Sequence, residues 1–175
     1  LQRPDATALR NGTDSLSYRD YAAIVATFAE RLGALGARGE RSALMMGNSI
    51  DMAIAMFAVH AAGAQAVPIN PLYTAREAQY ILDDAAPIAT IHDPAVAGMI
   101  GTLERTGERP RRCGTYSVAH GDVAVATPVT APEHLRTPQC TGANTRQPKG
   151  ATNTTPQMLV NMSPHQCLTP PDPPR

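Results

Sequence analysis

The sequence predicts an α/β fold, a doubly wound parallel sheet, and three observations carry that expectation. Short apolar runs of strand length alternate through residues 1–109 with longer stretches of helical periodicity. Those helical stretches are long enough to serve as crossovers, the connection that parallel strands require. Both phenylalanines, Phe28 and Phe57, and four of the five tyrosines fall in the same part, so the large side chains of a core are concentrated there.

The elements follow in order. Thr7–Arg10 and Ser15–Ser17 flank Asn11-Gly12, a hairpin turn signal. Ser17 can cap a helix over Tyr18–Leu35, whose Tyr21, Ile24, Val25, Phe28 and Leu32 form one stripe, with Gly33 and Gly36 as stop signals. Ser42–Met46 reads as a buried strand, Gly47-Asn48 as a turn, and Ile50–Ala62 as an Ala- and Met-rich helix ending at Gly63. Gln65–Ile69 is the next strand, halted by Asn70-Pro71. Thr74 and Glu77 make a T-x-x-E capping box for a helix through Asp84, and Pro87 breaks it. Ile88–Ile91 forms a further strand before His92-Asp93-Pro94.

The grammar changes near Pro110. Five of the 16 prolines precede residue 110, and the rest crowd the shorter remainder. Proline removes ladder donors and breaks helices, so this part reads as irregular. Within it, Val123–Ala126 is the only segment read as a strand and Gln157–Met162 the only one read as a helix; residues 104–137 read as loop or disorder.

Composition excludes several function classes. The 175 residues carry 15 Lys+Arg and 15 Asp+Glu, so no net field recruits nucleic acid or an anionic membrane. Arg105, Arg109, Arg111 and Arg112 alternate with Glu104 and Glu108 and read as a solvated loop. The longest apolar run, Met52–Ala64, contains His60 and falls short of the ~20 residues that a bilayer crossing needs. No basic-then-apolar leader opens the chain, which implies a cytoplasmic protein. Leu1 in place of Met reads as a start inside a longer reading frame. Cys113, Cys140 and Cys167 form no CxxC pair, and adding His120 and His134 completes no zinc template, so no metal site is expected.

The run AIAMFAVHAAGAQAVPINPLYTAREAQYILDD, Ala53 through Asp84, resembles the N-terminal region of AMP-forming acyl-CoA synthetases. NPLYT followed by RE is most similar to the long-chain fatty acid–CoA ligase branch, and LSYRDY and LMMGNSIDM match upstream in order and spacing. The resemblance covers residues 3–105, is lost across 106–136 and returns in degraded form over 137–163. It implies a partial N-terminal portion of an adenylate-forming ligase large domain at 1–109. Residues 110–136 are then a loop or disordered segment, 137–163 a degraded phosphate-loop segment, and 164–175 a disordered tail.

That loop is TGANTRQPKG, Thr141–Gly150, which lines up without a gap against a family pattern similar to YTGGTTGxPKG. The matching positions are Thr141, Gly142, Thr145, Lys149 and Gly150, which the resemblance implies as nucleotide-binding residues. Ala143, Asn144 and Arg146 depart from it. A phosphate cradle turns backbone N–H groups inward, and only glycine lets the chain approach that closely without steric cost.

The reaction implied is fatty acid plus ATP plus coenzyme A to acyl-CoA, AMP and pyrophosphate, with Mg²⁺ sharing the phosphate charge. The adenine, ribose and hinge motifs of the family, and the lysine of its mobile domain, do not follow within this sequence. The chain is therefore expected to be an inactive fragment, and no catalytic residue is assigned. Two other readings stand beside it: one half of a split active ligase, and a non-enzymatic α/β module that binds a nucleotide or partner. His60 and the Met45, Met46, Met52 and Met56 set read as packing. His92-Asp93 reads as a strand exit, and Asp83-Asp84 as solvated carboxylates that point apart.

Overall fold

A computed structural model describes residues 3–106, 112–113, 136–141 and 149–154. The chain opens on a hairpin of β1 (Thr7–Asn11) and β2 (Asp14–Ser17). Asn11 stays in the strand and pairs with Asp14, so the two central turn residues are Gly12 and Thr13 rather than Asn11-Gly12. Gly12 takes φ +61° while Thr13 keeps a negative φ, the pattern of a type II′ turn with glycine first.

Helix α1 (Tyr18–Ala34) starts where Ser17 Oγ accepts the N–H of Asp20, as the sequence predicts. Strand β3 (Arg41–Met45) leads into α2 (Ile50–Ala61), capped by Ser49 on the N–H of Met52. Strand β4 (Gln65–Pro68) is followed by α3 (Ala75–Ala85) and β5 (Ala89–His92). The capping box between Thr74 and Glu77 is present in both directions. A single 3₁₀ turn at Pro94–Val96 then runs into α4 (Ala97–Thr106), a helix absent from the sequence expectation.

Strands β3, β4 and β5 join the short β6 (Arg112–Cys113) in a parallel sheet of order β4-β3-β5-β6. Helices α1 and α2 cover one face, where Ile24, Phe28, Leu32, Ile54 and Val59 pack on Leu44 and Ile91. Helices α3 and α4 cover the other, where Ile81, Leu82, Ile100 and Leu103 pack on Ala43, Met45 and Val67. The sheet is thus doubly wound, because its strands alternate which face each side chain enters. Each fully buried Leu or Ile here contributes about 1.5–3 kcal/mol.

Tyr21 on α1 meets Phe57 on α2 edge-on, ring centroids 5.9 Å apart, and donates its hydroxyl to the carbonyl of Ala53 at 3.3 Å. Burial pushes the Tyr21 hydroxyl up to about 12. Met45 and Met46 are buried, and Met52 and Met56 pack against the core, so the methionines are packing residues as expected.

Among the described residues beyond Pro110, three strands stand where the sequence reading placed none. Strand β6 lies inside the stretch read as loop, and β7 (Arg136–Thr141) pairs antiparallel with β8 (Lys149–Thr154). Pro138 within β7 disguises it, since proline argues against a strand by pattern alone. The predicted strand Val123–Ala126 and helix Gln157–Met162 lie outside the described residues. So do Arg109 and Arg111; Arg105 belongs to α4 and Arg112 to β6, a correction to the loop reading of that cluster.

Candidate functional site

Strands β7 and β8 build the site that the sequence singles out. Thr141 and Lys149 stand directly opposite each other in the last pair of the ladder, with Cys140 opposite Gly150 next to it. Opposed residues of an antiparallel pair hold their Cα atoms about 4.5–5.5 Å apart. A hydroxyl-bearing residue, a cationic residue and a glycine therefore converge at one hairpin mouth. Residues 142–148 connect the two strands, so Gly142 and Thr145, with Ala143, Asn144 and Arg146, lie outside the described residues. The hairpin runs alongside β4, the outer strand of the parallel sheet.

That neighbour sets the hairpin beside the strand that leads into the NPLYT motif. After β4, the side-chain oxygen of Asn70 accepts the N–H of Leu72 at 2.9 Å, and the N–H of Tyr73 bonds the carbonyl of Asn70 at 3.1 Å. Thr74 then opens α3. Its backbone N–H, and next its hydroxyl, hold the Glu77 carboxyl below the usual carboxylate range. The motif is thus an Asx turn feeding a capping box, and its role in this fold is to fix the exit of β4.

The other natural ligand position is closed. In the order β4-β3-β5-β6 the chain leaves β3 toward β4 and β5 toward β6, so the switch point lies between β3 and β5. There the N–H of Gly47 donates to Asp93 Oδ2 at 2.7 Å, and the N–H of Asp93 to the carbonyl of Met45 at 3.2 Å. His92 is buried, with Nδ1 3.0 Å from the carbonyl of Asp93. The backbone donor that an anion would need is taken by the chain's own carboxylate. His92-Asp93 is a strand exit turned latch, an arrangement that the sequence reading did not foresee.

A cleft of about 530 Å³ separates the β1–β2 hairpin from the start of α2. Asn11, Thr13, Asp14, Ser49 and Asp51 line it, two carboxylates and no cation, the wrong sign for a phosphate. His60, in the last turn of α2, is half-buried; burial lowers its pKa, and its Nε2 finds no partner among the described residues. It is a packed histidine, as read from the sequence. Asp83 accepts the amide of Gln79 at 2.6 Å on the exposed side of α3. No group of three His, Cys, Asp or Glu side chains gathers among the described residues.

Residues 1–171 match the sequence family described as AMP-binding enzyme. The chain belongs to that family. It is 43% identical over 68 residues to the long-chain-fatty-acid–CoA ligase of Haemophilus influenzae, an alignment covering 39% of this chain and 12% of that one. The fold matches O-succinylbenzoate coenzyme A synthetase of Bacillus subtilis in complex with AMP, with TM-score 0.74 and 20% identity. That match covers 96% of this chain and 44% of the synthetase. ATP-bound MatB of Rhodopseudomonas palustris matches with TM-score 0.75 and 22% identity over 92% of this chain and 34% of its own. The chain spans less than half the length of each of these proteins. Among the described residues no helix is long and apolar enough to cross a membrane.

Proposed function

We propose that this chain is the front portion of a fatty acid–CoA ligase, and that its 141–150 hairpin grips the phosphates of ATP. The observation that carries this is the direct pairing of Thr141 with Lys149 at the mouth of β7–β8. Lys149 supplies a point charge for a phosphate oxygen, Thr141 a hydroxyl donor and Gly150 a backbone approach without a Cβ. Gly142 and Thr145 extend the same set along the loop. The set fits a polyphosphate and holds no carboxylates for a metal, so Mg²⁺ would arrive on the nucleotide and share its charge.

In the intact reaction such a grip steadies the leaving pyrophosphate while a fatty acid carboxylate attacks the α-phosphorus, and coenzyme A then displaces AMP. This polypeptide taken by itself binds nucleotide weakly and does not complete adenylation. Support comes from Ala143, Asn144 and Arg146, where the sequence departs from the loop pattern. If the loop needs a left-handed residue at Arg146, a non-glycine there costs about 1–2 kcal/mol.

Two measurements on the purified chain test this. Equilibrium dialysis should show ATP retained more tightly than adenosine, and carboxylate-dependent ATP–pyrophosphate exchange should be absent. Equal retention of ATP and adenosine removes the phosphate-grip reading. Exchange with a fatty acid removes the inactivity and favours one half of a working split ligase.

A further inference from the structure

We propose that Asn11 is a site of spontaneous deamidation, which turns the tip of the β1–β2 hairpin from amide to carboxylate. Three features of the tip point there, and none of them depends on the nucleotide reading. The residue after Asn11 is Gly12, which has no side chain to shield its peptide nitrogen and open space where a Cβ would stand. The N–H of Gly12 makes no backbone hydrogen bond among the described residues. Asn11 is exposed, and no hydrogen bond among the described residues holds its side-chain amide.

The chemistry balances with water alone. The Gly12 nitrogen attacks Asn11 Cγ; the new N–Cγ bond forms as the Cγ–Nδ2 bond breaks, and ammonia leaves carrying the proton lost from Gly12. Water then opens the cyclic imide at either carbonyl. One opening gives aspartate; the other routes the backbone through the side chain as isoaspartate. Cyclisation needs the strand end to bend, and a two-stranded ribbon resists bending only weakly.

Either product changes the molecule locally. A third carboxylate enters the cleft that already holds Asp14 and Asp51. The isoaspartate form also inserts a methylene into β1 and breaks the Asn11↔Asp14 register on which the turn depends. Asn70 is the internal control, because Pro71 has no N–H for the attack and Asn70 already bonds Leu72.

The test is peptide mapping by mass spectrometry of the intact folded chain, incubated at mildly alkaline pH and sampled over time. The Asn11 peptide should lose its amide first and split into two isomers of equal mass, while the Asn48 and Asn70 peptides keep theirs. Conversion at Asn11 no faster than at Asn70 overturns the proposal.

Discussion

Gly47 and Asp93 tie the carboxyl ends of β3 and β5 together through one short hydrogen bond, 2.7 Å from backbone nitrogen to Oδ2. The bond spans 46 positions in sequence and closes the crevice where an open α/β sheet would otherwise receive a ligand. Asp93→Ala strands the Gly47 N–H in a half-buried position. Hydrogen bonds to charged groups contribute about 1.5–3 kcal/mol, so urea unfolding should show a loss of about 2 kcal/mol. Gly47→Ala should be close to neutral, because its φ is ordinary and the added Cβ would sit 3.6 Å from Asp93 Oδ2, a normal contact. A larger loss from Gly47→Ala than from Asp93→Ala contradicts the latch.

Ala86 ends α3 in the left-handed region, φ 44° and ψ 53°, with its N–H on the carbonyl of Leu82. An L side chain is strained there and glycine is not. Ala86→Gly loses some unfolded-state advantage but relieves that strain. A net gain of about 0.5–1 kcal/mol is expected, read as a higher midpoint in urea or heat. The Arg41 guanidinium, which donates to the Ala85 carbonyl at 3.1 Å, should keep the helix end in place in the variant.

His60 gives the stability a slope with pH. Burial lowers its pKa in the folded chain below the ordinary 6.5, so the unfolded chain binds more protons as the pH falls. Stability is then flat above about 6.5 with respect to this group and declines as the pH drops from there toward the folded value. His60→Leu should remove that slope while keeping the packing of α2. Unfolding midpoints across pH 5 to 8, wild type against variant, provide the check.

Thr74→Ala removes the hydroxyl's bonds with Glu77 and leaves the backbone N–H of residue 74 on the Glu77 carboxylate. Loss of an N-cap hydroxyl costs about 1 kcal/mol of helix stability. With the Thr74 hydroxyl gone, the Glu77 carboxyl should rise toward its ordinary range, measurable by NMR titration. The folded value is the depressed one, so its contribution is present above the unfolded pKa and disappears as the pH falls through the folded value. An unmoved Glu77 titration in the variant would assign the depression to the backbone N–H alone.

The same pair shows why much of the fold was legible. Helix α3 announces itself by Thr74, Glu77 and Pro87, local signals that tertiary packing does not override. Helix α4 carries no such signal. Its Gly98 and Gly101 lower helix propensity, and Asp93, which caps the 3₁₀ turn leading into it, makes no side-chain cap hydrogen bond, so burial of Ile100 and Leu103 against the sheet carries it. Strands β7 and β8 are polar and β7 holds Pro138; their pairing comes from the hairpin register, which no alternation of apolar residues encodes. The latch was invisible for another reason: Gly47 and Asp93 meet only once the sheet has assembled. At the hairpin mouth, residue type marked Thr141, Lys149 and Gly150, while their convergence is a property of the ladder.

Lys149 separates a phosphate grip from mere ancestry. If its ammonium meets a phosphate oxygen, Lys149→Ala removes a charge-assisted bond of about 1.5–3 kcal/mol, and ATP retention should fall roughly tenfold or more. Adenosine retention should not change, since adenosine brings no phosphate oxygen for the ammonium to meet. Lys149→Arg should recover part of the loss, because charge is kept while a planar fork replaces a point charge. Glycine restored at Ala143 and Arg146 should tighten ATP further by removing side chains from the cradle, yet leave ATP–pyrophosphate exchange at background. Grip and turnover would then be separable. Adenylation needs donors on the carboxylate side of the α-phosphorus as well as the pyrophosphate side, and the proposed grip accounts only for the second.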